Sequence, residues 1–227
     1  MLCKWEDLPA FMQTEEVRPY YEQLRKKRAS LALKRIFDLI VATLMLIVLF
    51  PVFIGLSIII SIDSKGGVFF RQERVTQYGR KFRIFKFRTM VANAEILGSQ
   101  VTVSNDMRVT NVGKVLRKYR LDELPQLLNI ISGEMSYVGT RPEVPKFVKM
   151  YSPEMMATLL LPAGVTSEAS IEYKDEERLL DTADNVDDVY IRQVLPAKME
   201  YNLRSIKHFS FLKEIYTMIK TILVVLR

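Results

Sequence analysis

From Leu39 to Ile62 the chain carries no charged residue, and a run of that length is about what a bilayer-spanning helix needs. Pro51 lies in its middle, where it removes a backbone hydrogen bond and kinks or breaks the helix. Lys and Arg crowd both flanks: Arg25 to Arg35 before the run, then Lys65, Arg71, Arg74, Arg80 and Lys81 after it. Cytoplasmic flanks collect these residues, so both ends fall on the same side of a membrane. Residues 31–64 are therefore expected to enter and return as a re-entrant helix bent at Pro51, with a plain spanning helix as the alternative.

Downstream the periodicity shortens. Residues 68–75 and 81–88 read as two strands around a turn at Gln77 to Arg80. The second strand alternates imperfectly, with Phe82 and Ile84 on one face and Phe85 and Phe87 on the other. A bulge or burial on both faces would explain it. Residues 89–105 suggest a helix and then a loop. A helix is expected from Asp122 to about Ile131, ending at Ser132-Gly133, and others around Glu143 to Tyr151 and Pro153 to Leu161. The acidic stretch Asp175 to Asp188 reads as a solvated helix and loop. Near the C-terminus Phe211, Leu212, Ile215, Met218, Ile219 and Ile222 recur at helical spacing, with Lys213 and Lys220 elsewhere on the surface. That pattern suits an amphipathic helix lying on a membrane or packed on the core. Residues 1–30 read as a leader, short and helical or partly ordered, closed by the basic cluster Arg25 to Arg28. The expected fold is α+β and mostly helical. It divides into a leader over 1–30, the re-entrant helix over 31–64 and a catalytic domain over 65–227 with a small β-hairpin and interfacial helices.

Hydrophobic residues make up 49% of the 227 residues while the net charge is +7. Such a greasy, basic chain suits an anionic surface, and on charge alone that surface is the cytoplasmic leaflet or a nucleic acid. Cys3 is the only cysteine, which removes intrachain disulfides and multi-cysteine zinc sites, and His208 is the only histidine. A nucleophile-histidine triad would have to use His208, which has no nucleophile motif nearby. Met1 to Lys34 is charged throughout, so no cleavable secretory signal is expected there. There is no Gly-rich GxxxxGK[ST] loop of a nucleotide hydrolase.

The candidate chemistry lies in Arg117-Lys118-Tyr119-Arg120-Leu121-Asp122-Glu123-Leu124-Pro125-Gln126 and in Gly139-Thr140-Arg141-Pro142. A helix accepts Pro125 only in its first turn, which puts Asp122 at or near the N-cap, at the positive end of the helix dipole. Helix N-termini also bind phosphate, and Arg117, Arg120 and Arg141 are the residue type that grips it at two points. An acid among such cations is expected to stay ionised, ready to attack phosphorus or ligate a divalent cation. An ordinary capping Asp with a solvated Glu beside it is the plainer reading. Lys86 and Arg88 are expected to project together from the second strand.

The string LDELPQLLNIISGEMSYVGTRP closely resembles the signature of the bacterial sugar transferases, the monotopic phosphoglycosyl transferases. KRIFD at 34–38, FKFRTM at 85–90 and VTNVGKVLRK at 109–118 fit in the same order, so the resemblance covers roughly residues 31–166. It implies transfer of a sugar 1-phosphate from a UDP-sugar to undecaprenyl phosphate, with release of UMP, as the first membrane step of glycan assembly. It implies Asp122 as nucleophile and Glu123 as its partner in metal or proton handling, the two holding Mg²⁺. Lys86, Arg88, Arg117, Arg141 and Pro142 are implied at the substrate phosphates. The bent helix at Pro51, membrane lipid as a partner and a bacterial inner-membrane location with the catalytic domain on the cytoplasmic face follow from the same likeness. Nucleic acid is not among the implied partners, and homo-oligomerisation is left open. Pro162-Ala163-Gly164-Val165-Thr166 has one alanine more than the family's Pro-Gly-Ile-Thr. Ser167 to Ile171 departs from the Gly-Trp-Ala-Gln that many members carry, which leaves the sugar undetermined. A catalytically inert, membrane-anchored basic module would share the charge and the apolar run but would leave the DELPQ and GTRP strings unexplained.

Overall fold

A computed structural model describes residues 2–94, 106–173 and 185–225. The uncharged run forms α2 (Arg28–Val48) and α3 (Phe50–Asp63), bent by 61° at the break between them, after a short α1 (Arg18–Arg25). Pro51 stands in the first turn of α3, where its missing N–H costs nothing within that helix but denies one to the end of α2. Among the described residues no single helix is long and apolar enough to cross a membrane, whereas α2 and α3 together are. Their outer surface is apolar and uncovered, with Ile47, Val48, Phe50, Ile58 and Ile62 all more than half exposed.

Three apolar clusters hold the rest. The hairpin β1 (Phe69–Val75) and β2 (Lys81–Phe87) pairs antiparallel in an unbroken register from Phe69 opposite Phe87 to Val75 opposite Lys81. There is thus no bulge in these strands. Burial on both faces explains the irregular alternation: Phe82 and Ile84 pack with Leu127 and Ile130, while Phe87 packs with Phe53 and Leu116. A second pair, β3 (Met135–Val138) and β4 (Ala163–Thr166), is parallel. Its backbones approach closely where Gly139 faces Gly164, since a Cβ on Gly164 would stand 2.2 Å from the Gly139 nitrogen. That contact sets the GTRP segment against the PAGVT segment.

The structure revises the leader. Leu2, Leu8, Met12, Val17, Tyr21 and Leu24 are buried in the largest cluster, against Leu160, Val194, Leu195 and Met199. From Leu2 onward the leader is therefore ordered and part of the core. The last helices are α9 (Leu195–Lys207) and α10 (Phe211–Val225), which follow α6 (Pro145–Val148), α7 (Glu168–Glu172) and α8 (Val186–Val189). The expected helix after residue 89 and most of the acidic stretch fall largely on 95–105 and 174–184, outside the described residues.

The KRIFD segment ties α2 to the domain. Lys34 pairs with Glu214 of α10 and donates to the Val138 carbonyl at 2.8 Å, and Asp38 accepts from the Ser136 hydroxyl at 2.7 Å. Arg35 donates to the Ile130 and Ile131 carbonyls at 2.7 and 3.1 Å, closing the C-terminal end of the helix that follows Asp122. α10 does pack on the core, through this pair and a Phe37–Phe211 edge contact, while Leu212, Tyr216, Ile219 and Ile222 remain exposed.

Candidate active site

The helix expected from Asp122 is split. α4 (Asn111–Lys118) ends the basic segment, and Arg120 takes a left-handed φ of 56° that turns the chain. Leu121–Glu123 then form one tight 3₁₀ turn, and α5 (Gln126–Ser132) starts after Pro125. Asp122 is thus inside the turn that leads into the helix rather than at its N-cap. Its position is fixed by apolar anchors on either side, Leu121 and Leu124, which pack with Phe53 and Phe87.

Asn129 brings β2 to the acids. Its amide accepts from Phe85 N–H at 2.8 Å and donates to the Arg83 carbonyl at 3.1 Å, supplying the free edge of β2 with the partners a neighbouring strand would offer. With that edge docked, Lys86 Nζ reaches Glu123 Oε1 at 2.8 Å and Asp122 Oδ2 at 3.9 Å. From the opposite side Arg141 donates to the same Glu123 oxygen at 2.6 Å.

Burial pushes Glu123 upward, but Arg141 and Lys86 outweigh it and hold the carboxyl well below the usual range. Burial lowers Lys86, with Glu123 opposing the shift. Asp122 goes the other way: burial raises it and Lys86 opposes, while the Glu123 charge adds to the rise. The expectation that cations alone would decide its ionisation omitted the desolvation of a carboxylate that is 7% exposed. The two neighbouring acids are thereby driven apart, Glu123 downward by its cations and Asp122 upward by burial.

Of the other expected residues, Arg117 is adjacent, its Nε donating to the Thr89 hydroxyl at 2.9 Å and its charge acting on Asp122. Gly113 lets α4 come that close, since a Cβ there would lie 2.1 Å from the Thr89 carbonyl. Pro142 is buried, has no N–H to offer, and gives its carbonyl to Arg74 at 3.1 Å. Arg88 does not accompany Lys86. Its guanidinium turns back to the end of α3 and donates to the Ser64 carbonyl at 2.6 Å. Sequence reasoning missed Arg74, Thr89 and Asn129, which position the site. The available signal for Thr89 and Asn129 was their place within the matched strings; Arg74 lies outside them and carried none.

Divalent-cation chemistry is compatible with this donor set. Among the described residues no group of three metal-ligating side chains occurs. Mg²⁺ is commonly held by one or two carboxylates with water and substrate phosphate completing the shell, which Asp122 and Glu123 match.

The model of the bacterial sugar transferase family matches residues 29–227, and the chain belongs to that family. It is similar to a UDP-N-acetylgalactosamine-undecaprenyl-phosphate N-acetylgalactosaminephosphotransferase of Aeromonas hydrophila. The two are 36% identical over 197 residues, which is 86% of this chain and 44% of the relative. A UDP-glucose:undecaprenyl-phosphate glucose-1-phosphate transferase of Klebsiella pneumoniae is 36% identical over 63% of the chain and 31% of its own length. The exopolysaccharide production protein ExoY of Sinorhizobium fredii is 41% identical over 52% and 59%. The chain thus spans less than two thirds of each of these relatives.

Proposed function

We propose that this protein transfers a sugar 1-phosphate from a UDP-sugar to undecaprenyl phosphate, through a phospho-sugar bound covalently to Asp122. The observation that carries the reading is the pair of neighbouring acids: Glu123 clamped by Lys86 and Arg141, and Asp122 buried beside them. A diphosphate resists attack until its charge is offset, which Lys86, Arg117 and Arg141 supply. An Asp122 carboxylate oxygen attacks the β-phosphorus, the bond from that phosphorus to the UMP oxygen breaks, and UMP leaves. The phosphate oxygen of the acceptor lipid then attacks the same phosphorus and Asp122 is released as carboxylate. Mg²⁺, held by Asp122 and Glu123, would supply further charge neutralisation on the diphosphate.

The test is UMP release. Incubated with a panel of UDP-sugars and Mg²⁺, the protein should liberate UMP from one or a few of them, with multiple turnovers only when undecaprenyl phosphate is added. No UMP with any donor would favour an inert, lipid-binding module.

The membrane arrangement belongs to the same proposal. The 61° bend and the uncovered apolar surface of α2 and α3 support a re-entrant pair that returns to the side it entered, in a bacterial inner membrane with the catalytic part cytoplasmic. Single cysteines at Ala10 and at Met107, which is 96% exposed, in a Cys3→Ser background, should both react with an impermeant thiol reagent from the cytoplasmic side only. Labelling from opposite sides would mean a spanning helix. Pro51→Ala should shift part of the population that way by restoring the straight-helix hydrogen bond.

A further inference from the structure

Arg141 owes its place to the two residues that follow it, and these are fastened from two directions. From the end of β1, Arg74 Nη1 donates to the Pro142 carbonyl at 3.1 Å and the Val75 N–H donates to the Glu143 carbonyl at 2.9 Å. From the C-terminal part of the chain, the Tyr190 hydroxyl donates to Glu143 Oε1 at 2.5 Å. Both of these side chains lie in the interior, Glu143 6% exposed and Tyr190 4%. Neither belongs to the strings that mark the site, and the transfer chemistry uses neither.

Glu143 is an unusual acid to bury. Among the described residues its side chain bonds the Tyr190 hydroxyl and pairs directly with no cation. Its charge nevertheless acts on two guanidinium groups: it joins Glu123 in raising Arg141, and it opposes the burial that lowers Arg74. A carboxylate held in the interior by one neutral hydrogen bond is costly, and an uncharged amide of the same shape would avoid that cost. A charge kept here is therefore explained by its effect on its neighbours. Arg74 and Arg141 repel each other, and Glu143 is the anion they share besides Glu123. Tied down by a hydroxyl, that anion stays at a fixed distance. Left loose, it would swing to Arg141 and compete with Glu123 and the donor diphosphate for the guanidinium.

Tyr190 is itself held firmly. It opens the π turn Tyr190–Val194 that joins α8 to α9, and widened turns of this kind are rare and recur at functional sites. Its ring packs at 4.7 Å on Phe147 of α6, and the buried Lys198 ammonium lies 5.5 Å from the ring centre.

We propose that Glu143 and Tyr190 are positioning residues for the phosphate grip of Arg141: the hydroxyl fixes the Glu143 carboxylate, and the fixed charge keeps Arg141 clear of Arg74 and aimed at Glu123 and the donor diphosphate. Neither residue touches the reacting atoms. The inference rests on the transfer reaction proposed above, and it makes the π turn part of the support of the donor site.

Two variants test it. Tyr190→Phe removes the hydroxyl and keeps the ring against Phe147, while Glu143→Gln removes the charge and keeps an acceptor for the hydroxyl. Each should lower the single-turnover rate of UMP release from UDP-sugar about fivefold or more, because a displaced binding group is felt at the reacting centre. In an Arg141→Ala background each should cost less than about twofold, since the group they position is gone. Residues that only support the fold would cost the same factor in both backgrounds, and that result overturns the proposal. So does an unchanged rate in both single variants. Should Tyr190→Phe fail to fold, Glu143→Gln decides alone. If no UDP-sugar yields UMP, the transfer reading fails by itself, and the pair is judged by melting temperature. The losses from Glu143→Gln and Arg141→Ala should then fall short of additive, and additive losses overturn the inference.

Discussion

Asp122→Asn is expected to abolish turnover, by about 10⁴-fold or more, because a carboxamide is neutral and barely nucleophilic. The wild type should release about one equivalent of UMP before acceptor is added, show ping-pong kinetics, and carry a phospho-sugar on the peptide containing Asp122 by mass spectrometry. The variant should do none of these. Its fold should survive, for a reason legible in the electrostatics. Burial raises the Asp122 carboxyl, so the folded state holds that proton more tightly than the unfolded chain does. That contribution to stability is full below the ordinary carboxylate pKa and is lost as pH rises through the raised value. At neutral pH the ionised Asp122 therefore costs stability, and Asp122→Asn should melt at the same temperature or higher. The same shift places the acid limb of the wild-type kcat/KM profile above the ordinary carboxylate pKa, provided Asp122 must be ionised to attack. If UMP appears only once both substrates are bound and no adduct forms, transfer is direct and Asp122 is a base or metal ligand.

Glu123→Gln should harm both activity and fold. It leaves Lys86 with Asp122, itself raised by burial, and Arg141 with Glu143 and Asp122, as counter-charges in place of the direct Glu123 contact. Removing one member of a buried ion cluster costs about 3–5 kcal/mol, and the lower end applies because a third of the Arg141 side chain is exposed. Denaturant melts in detergent should read that loss directly. With the Glu123 charge gone, one cause of the Asp122 rise disappears, so any residual activity should show its acid limb at lower pH. Arg141→Ala should lower turnover, and Arg141→Lys should restore only part of it, since an ammonium cannot make the planar two-point contact with phosphate. Full activity in the alanine variant would remove Arg141 from the site. A double-mutant cycle of Glu123→Gln with Arg141→Ala should show strong coupling, and additive losses would mean that the contact carries little energy.

By itself the sequence determined what depends on local chemistry. The uncharged run with Pro51 marks the bent helix pair, since a missing N–H acts within one turn. The Gln77–Arg80 turn marks the hairpin, since Tyr78 and Gly79 need only take positive φ there. The ordered strings, including Asp122-Glu123, mark the acids. Tertiary structure alone decided which neighbours those residues meet. Lys86 and Arg88 sit on the same side of an ideal strand, yet β2 ends at Phe87, and Arg88 bends away to the α3 carbonyls while Lys86 stays with Glu123. The leader read as short and helical or partly ordered because its own stretch offers no partner, and it is buried because residues more than 130 positions away, such as Leu160 and Leu195, provide the surface. The ionisation of Asp122 is likewise non-local. Sequence displays the cations around it, but the desolvation that outweighs them arises only when α3, β2 and α4 close over the turn.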